Sequence, residues 1–129
     1  MNKNYNILIK KAKVLAKSKK HNKFFASAYV GCALITNKGN IYTGVSLEAS
    51  CGIGFCAEHS AIAQMITNKE NKITAIAAVN ENAKIVPPRG RCRELIYQVN
   101  NKNLDTDIIL ADKIVKLKDI LEYRWQENW

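Results

Sequence analysis

The sequence predicts an α/β fold in which helices cover both faces of a mixed β-sheet. A hairpin pattern near the N-terminus is followed by alternating strand and helix patterns, an order typical of a sheet with helices packed on it. The strand segments are apolar along their whole length, as strands buried on both faces are. The 129 residues contain no repeat, linker or low-complexity segment, so we predict one domain over residues 1–129.

The first half of the chain predicts a helix, a hairpin and a loop. Residues 4–18 place apolar side chains three and four positions apart between lysines, which favours an amphipathic helix. Residues 27–36 form an apolar strand, and residues 41–46 form the returning strand after a turn in which Gly39 can take a positive φ. A glycine-containing loop over residues 47–55 follows.

The second half predicts helices that alternate with strands. We expect a helix over residues 56–68, a strand over 73–80, a helix over 91–100, a short strand over 107–111 and a partly helical tail over 114–129. The inner faces of these two helices would carry Ala61, Ile62, Met65 and Ile66, and Cys92, Leu95, Ile96 and Val99.

The composition argues against two classes of binding partner, nucleic acid and membrane. The formal net charge is +9, and excess positive charge attracts nucleic acid. Only four of the 20 basic residues are arginines, and asparagine and isoleucine are abundant, which indicates a bias towards AT-rich codons. No basic segment alternates with aromatic residues, as single-strand binding favours, so we expect no nucleic-acid partner. We expect no membrane partner either, because no apolar run reaches the ~18 residues of a membrane helix.

The cellular location is predicted from the N-terminal segment and governs how the cysteines are interpreted. Residues 1–23 are rich in lysine and lack a continuous apolar stretch, which argues against a secretory signal and favours the cytoplasm. In a reducing compartment, the four cysteines are core residues, metal ligands or reactive thiols rather than disulfides. Cys32, in an apolar strand, is best explained by packing.

A cysteine and a glutamate two residues apart, Cys56 and Glu58, are the first candidates for chemistry. Cys56 begins a predicted helix, where unpaired N–H groups favour the thiolate that a metal needs. Glu58 lies in the first turn and can reach the same pocket without binding the same ion. A structural interpretation is equally supported by these residues alone, with Cys56 as a buried hydrophobe and Glu58 as an acid that favours the helix dipole.

Cys92 favours the chemical interpretation. It lies 36 residues after Cys56, near the start of another predicted helix and after Pro88-Arg89-Gly90-Arg91. Neighbouring helices on a mixed sheet can bring two such starts together, and two thiolates there form half of a zinc site. In zinc deaminases, a histidine or cysteine two residues before a glutamate is followed by Pro-Cys-x-x-Cys, and the glutamate transfers the proton of a zinc-activated water.

The sequence resembles the cytidine deaminase family, including the blasticidin-S deaminases. The resemblance extends from Val30-Gly31-Cys32-Ala33 to Arg91-Cys92-Arg93-Glu94. It implies a three-layer α-β-α fold with a mixed five-stranded sheet, a zinc cofactor and a homotetramer. It also implies that Cys56 and Cys92 bind the metal and that Glu58 is the catalytic residue.

The same resemblance implies residues that bind the substrate. Gly44-Val45-Ser46-Leu47-Glu48 is similar to a segment whose glutamate holds the ribose 3′-hydroxyl. Glu48 is therefore the sugar-binding candidate, and Ser46 takes the place of a neighbouring asparagine. The backbone around Ala57 and Pro88 is implied to orient a nucleoside-like small molecule.

The sequence departs from the family pattern at Arg89, where the family has the first cysteine of Pro-Cys-x-x-Cys. A guanidinium stays protonated and cannot bind zinc, so we expect weakened zinc binding. His59, one turn after Cys56, could be a third ligand or could hydrogen-bond to a thiolate, and we favour the hydrogen bond. Cys51 is a further candidate if its loop folds back. Ala28 stands where the family usually has a phenylalanine.

Three functions remain after these departures. The first is a zinc-dependent hydrolytic deaminase of cytidine or a related aminopyrimidine nucleoside. The alternative is a catalytically impaired relative that binds a nucleoside-like ligand without turnover, with Arg89 in the zinc cavity and paired with Glu58. An editor of polynucleotides is a third, weaker interpretation that only the charge supports. We predict the first, and a measurement of zinc per subunit separates it from the second.

Overall fold

The computed structural model describes residues 3–126, with side chains from Tyr5 onward. The helices are α1 (Lys3–Leu15), α2 (Ala57–Thr67), α3 (Gly90–Val99) and the single-turn α4 (Leu117–Ile120). The strands are β1 (Lys19–Asn22), β2 (Phe25–Thr36), β3 (Ile41–Ala49), β4 (Ile73–Asn80), β5 (Ile85–Val86), β6 (Asp107–Ile109) and β7 (Ile114–Lys116). None of the helices in this part of the chain has the length and apolarity to cross a membrane.

The strands form one mixed sheet, which confirms the predicted fold class. β2 pairs with β3 on one side and with β4 on the other, both antiparallel. β4 runs parallel to β6, and β7 closes that edge antiparallel to β6. The sheet has seven strands rather than the five predicted, because β1 joins β2 and β5 joins β4. The prediction missed β1 because its four residues are polar and exposed, and β5 because it has only two residues.

Helices cover both faces of the sheet, and β2 contributes to both cores. Its Ala33 and Ile35 pack in a cluster with Leu8 and Ala12 of α1. Its Cys32 and Leu34 belong to the opposite cluster, which holds the buried side chains of α2 and α3. Because consecutive strand residues point to opposite faces, a strand buried on both sides must be apolar throughout, as the sequence indicated.

The predicted elements differ from the observed ones mainly at their ends. The first helix ends at Leu15 instead of residue 18, and β3 continues to Ala49, which shortens the predicted loop. Ile66 was predicted to be buried but is 45% exposed, because it lies on the outer side of α2. The predicted helical tail contains β7 and α4, and residues 127–129 lie outside the described chain.

Close packing of α2 on β3 fixes the position of the helix start. A Cβ atom at Gly44 would lie 2.4 Å from the Cβ of Ser60, so only glycine allows this approach. The Ser60 hydroxyl donates to the carbonyl of Val45 at 2.7 Å, and the Thr43 N–H donates to the Gln64 side chain at 2.9 Å. These contacts fix the helix start relative to the sheet.

Candidate functional site

The candidate site lies where α2 and α3 begin. Cys56 is the N-cap residue of α2 and Arg89 is the N-cap residue of α3, and neither side chain makes a capping hydrogen bond. The Cys56 carbonyl accepts from the N–H of His59 at 3.1 Å, and the Arg89 carbonyl accepts from the N–H of Arg93 at 3.0 Å. The first turns are thus held by the backbone, which leaves both N-cap side chains available for other contacts.

The Cys92 thiol is the centre of a compact polar cluster. The residue is fully buried, and its Sγ atom lies 3.6 Å from Nδ1 of His59. The thiol also interacts with Cys56, with the Glu58 carboxylate and with the backbone of Arg89. The ligand atoms of Cys56, His59 and Cys92 all lie within 4.8 Å of one another. Residues that the sequence placed on two separate helices are therefore neighbours.

Burial sets the proton states in this cluster. It raises the pKa of the Cys92 thiol far above its usual range, and the negative charge of Glu58 raises it further. It lowers the pKa of His59, with a contribution from the positive charge of Arg91, so the imidazole is neutral at pH 7. Neutral imidazole can bind a metal directly, whereas the thiol must release its proton when the metal binds.

Glu58 is a buried carboxyl, only 5% exposed. Burial raises its pKa, although its own backbone N–H, the Cys92 thiol and the charge of Arg89 partly oppose the increase. A carboxyl whose pKa moves towards neutral can both accept and donate a proton. Cysteine sulfur and histidine nitrogen are donors that zinc prefers, so the neighbouring side chains fit the metal that the sequence motif implies.

A cavity of about 490 Å³ opens onto this cluster, a volume typical of small-molecule sites. Six of the residues predicted for the site lie in its wall: Ser46, Glu48, Cys56, Ala57, Glu58 and Arg89. The Ser46 hydroxyl accepts a hydrogen bond from the N–H of Val30 at 3.1 Å. Arg89 is exposed at the cavity wall, and its positive charge acts on the Glu58 carboxyl.

Other predicted residues lie outside this wall. Pro88 is buried, and the preceding Pro87 contacts the cavity instead. Cys51 is exposed in a short 3-10 turn, with a positive φ of 62°, and is not part of the cluster of possible ligands. Cys32 is fully buried in β2.

Two aromatic side chains at the cavity were not predicted. Tyr29 follows Ala28, which has a positive φ of 67° where the pairing of β2 with β3 shifts register between Ser27 and Gly31. Such a bulge changes the direction of the side chains that follow it. The sequence could have indicated Tyr29, because it is an aromatic residue one position after the place where the family has a phenylalanine. Phe55 stacks beside His59, with ring centroids 6.1 Å apart.

Known proteins share this fold and this motif region. The family model of the cytidine and deoxycytidylate deaminase zinc-binding region matches residues 3–106. A cytidine deaminase of Halalkalibacterium halodurans is 34% identical over 71 residues, and one of Sporosarcina psychrophila is 31% identical over 97 residues. The matched segment spans 54% of this chain and of the first protein, and 71% of this chain and of the second. This chain thus matches little more than half of the Halalkalibacterium protein.

The same likeness appears in three dimensions. The crystal structure of cytidine deaminase from Mycobacterium leprae aligns with a TM-score of 0.79 and 26% sequence identity. The alignment covers 95% of this chain and 100% of that chain.

Proposed function

The chain belongs to the cytidine and deoxycytidylate deaminase family, and from this premise we propose that it is a zinc-dependent hydrolase of cytidine or a related aminopyrimidine nucleoside. The reaction replaces the exocyclic amine of the base with the oxygen of water and releases ammonia. The observation that carries this proposal is the buried Glu58 carboxyl beside the Cys56 and Cys92 thiols, where two helix starts meet a cavity.

Glu58 is the proton carrier in this proposal. It takes one proton from the attacking water and delivers it to the ring nitrogen. It then takes the second proton, from the hydroxyl that the water leaves on the ring carbon, and delivers it to the amine, which departs as ammonia. Its burial and raised pKa support both halves of this role, because a general acid–base works best with a pKa near the working pH. Glu58 is not assigned as a ligand, since its task requires a carboxylate that is free to change its protonation state.

Cys56 and Cys92 hold the zinc ion in this proposal, and the ion, when bound, supplies a water with a pKa lowered towards 7. Both residues lie at helix starts, and each thiol would release its proton when the metal binds. Neighbouring Glu58 then acts on a water whose position the two helices define.

The cavity wall provides groups for the substrate. Glu48 and Ser46 lie at one part of this wall, and we assign them to the sugar hydroxyls. Tyr29 and Phe55 also line the cavity and offer aromatic surface to a flat base. The backbone at Ala57 and at the Pro87–Pro88 segment would orient the exocyclic amine.

The active form is proposed to be a homotetramer. The segment between Glu48 and Phe55, beside the cavity, exposes 75% of Ile53 and 36% of Phe55, and apolar side chains grouped at a surface favour contact with another subunit. A monomeric mass at micromolar concentration by light scattering would reject the tetramer. The cytoplasmic location and the absence of a nucleic-acid or membrane partner stay predictions.

Metal removal tests the proposed function. Cytidine should be converted with release of one ammonia per uridine, chelator treatment should abolish this turnover, and added Zn²⁺ should restore it. The control is the same chelator treatment followed by buffer with Mg²⁺, which prefers oxygen ligands. Unchanged turnover after complete zinc removal would contradict the proposal, as would the absence of turnover on cytidine and deoxycytidine by zinc-loaded protein.

A further inference from the structure

His59 lies beside two cysteine thiols, and we propose that its Nδ1 atom is the third protein ligand of zinc, in place of the cysteine that Arg89 replaces. The inference rests on the zinc-dependent function proposed above and adds the residue that completes the ligand set. Catalytic zinc sites have three protein ligands and leave a fourth position for water.

The distance between His59 and Cys92 matches tetrahedral zinc. Zn–S bonds of about 2.3 Å and Zn–N bonds of about 2.0–2.1 Å at the tetrahedral angle place sulfur and nitrogen about 3.6 Å apart. The Sγ atom of Cys92 and the Nδ1 atom of His59 are 3.6 Å apart. Since the ligand atoms of Cys56, His59 and Cys92 lie within 4.8 Å of one another, one ion can reach all three after small side-chain movements.

The start of α2 brings Cys56 and His59 to the same side of the helix. Cys56 is the N-cap residue, His59 is the third helical residue, and the His59 N–H donates to the Cys56 carbonyl at 3.1 Å. Side chains at these two positions are neighbours, as capping boxes show.

The other candidates for the third position do not fit. Arg89 is exposed, and its guanidinium has no lone pair to offer. Cys51 lies in an exposed turn. Within residues 3–126, Cys56, His59 and Cys92 form the sole group of three histidine, cysteine or acidic side chains whose ligand atoms come this close together.

A hydrogen bond from His59 to a thiolate is the competing role, and a modest loss of zinc affinity in a His59 variant does not separate the two. Loss of a hydrogen-bonding partner of a ligand typically weakens metal binding by about 10–100-fold. The decisive readout is the state of the Nδ1 atom itself.

The chain has two histidines, His21 and His59, which makes this atom directly observable. Long-range ¹H–¹⁵N spectra of ¹⁵N-labelled protein are recorded during titration with Zn²⁺, with a phosphine reductant that keeps the thiols reduced. We expect the Nδ1 resonance of His59 to move from its free to its metal-bound position at one equivalent. His21, which is exposed and bonded to Ser27, should not move. An Nδ1 resonance of His59 that stays at its free position in zinc-loaded protein overturns the inference.

Zinc affinities of three variants, measured by competition with a chromophoric chelator, give a second test. His59→Ala should weaken binding by more than the roughly 100-fold that a hydrogen-bonding partner accounts for. His59→Cys should recover most of that loss, because a thiolate can coordinate from the same position, and His21→Ala is the matched control. Wild-type affinity in His59→Ala, or no recovery in His59→Cys, overturns the inference.

The outcomes separate this inference from the proposed function. If wild-type protein binds zinc and deaminates cytidine while the Nδ1 atom of His59 stays free, only the assignment of His59 as a ligand is rejected. If wild-type protein takes up no zinc and has no deaminase activity, the proposed function is rejected as well.

Discussion

Two buried glutamates at opposite ends of α2 have opposite pKa shifts. Glu58, in the first turn, is 5% exposed, and Glu70, just after the helix, is 7% exposed. Burial raises the pKa of Glu58. Hydrogen bonds, first of all from Tyr42, lower the pKa of Glu70. Their exposed fractions are similarly low, but desolvation is the largest cause of the pKa shift at Glu58 and only a smaller, opposing cause at Glu70.

The hydrogen-bond donors around each carboxylate add to this difference in desolvation. Glu70 accepts from the Tyr42 hydroxyl at 2.5 Å and from the Asn40 side chain at 2.8 Å, and Thr36 also bonds to it. These donors stabilise the charged form and tie the β2–β3 turn to the end of α2. Glu58 has a thiol and its own N–H as partners, so its charge is less compensated. Two donors on the Oε2 atom of Glu70 suit a structural role, whereas the weaker compensation of the Glu58 charge suits proton transfer.

The largest effect is expected when both proposed cysteine ligands of zinc are removed. A Cys56→Ala, Cys92→Ala double variant should bind no zinc and show no detectable turnover, because both thiolate donors are lost. It should also lose the thermal stabilisation that zinc gives the wild type, since metal binding is coupled to folding. Full zinc occupancy in this variant, measured by mass spectrometry of the metal, would remove both cysteines from the ligand set.

The second largest effect is expected when the proposed proton carrier, Glu58, is replaced. Glu58→Gln should lower kcat by about 10²–10⁴-fold, the usual contribution of a general acid–base, while zinc content and fold stay intact. Its Tm should match or slightly exceed that of wild type, because a neutral amide avoids the cost of burying a charge. Undiminished deamination in this variant would show that another group moves the proton.

Glu70→Gln is the counterpart at the other end of the helix and should act on stability. The amide keeps the shape but loses the charge-assisted hydrogen bonds, so the Tm should fall by several degrees while kcat stays close to wild type. Tyr42→Phe, which removes the first of the donors, should lower the Tm in the same direction. A kcat loss as large as that of Glu58→Gln would end the distinction between the two carboxylates.

The smallest effect is the pH dependence of that stability. The pKa of Glu70 is lowered from about 4.5 in the folded protein, so its contribution is complete above the unfolded value and is lost as pH falls through the folded value. The Tm difference between wild type and Glu70→Gln should therefore shrink as the pH falls below about 4.5. A difference that grows on acidification would contradict the assigned direction.

The sequence predicted the parts of the site that depend on local pattern. Cys56, Glu58 and Cys92 lie at helix starts that glycine, proline and apolar spacing mark in the chain, and the fold brings those starts together. The lining by Tyr29 depends on a register shift in β2, which has no clear signature in one sequence. Glu70 was not singled out from the sequence, because its hydrogen-bond partners lie about 30 positions earlier in the chain.

The zinc content per subunit, measured in protein purified without chelator, tests the zinc-dependent function. We expect one zinc ion per subunit in wild type, with cytidine turnover proportional to zinc content across partly loaded samples. We expect no second ion in Arg89→Cys, because His59 already fills the third protein position. Protein that contains no zinc yet deaminates cytidine, or that gains zinc and turnover only in Arg89→Cys, would contradict this expectation.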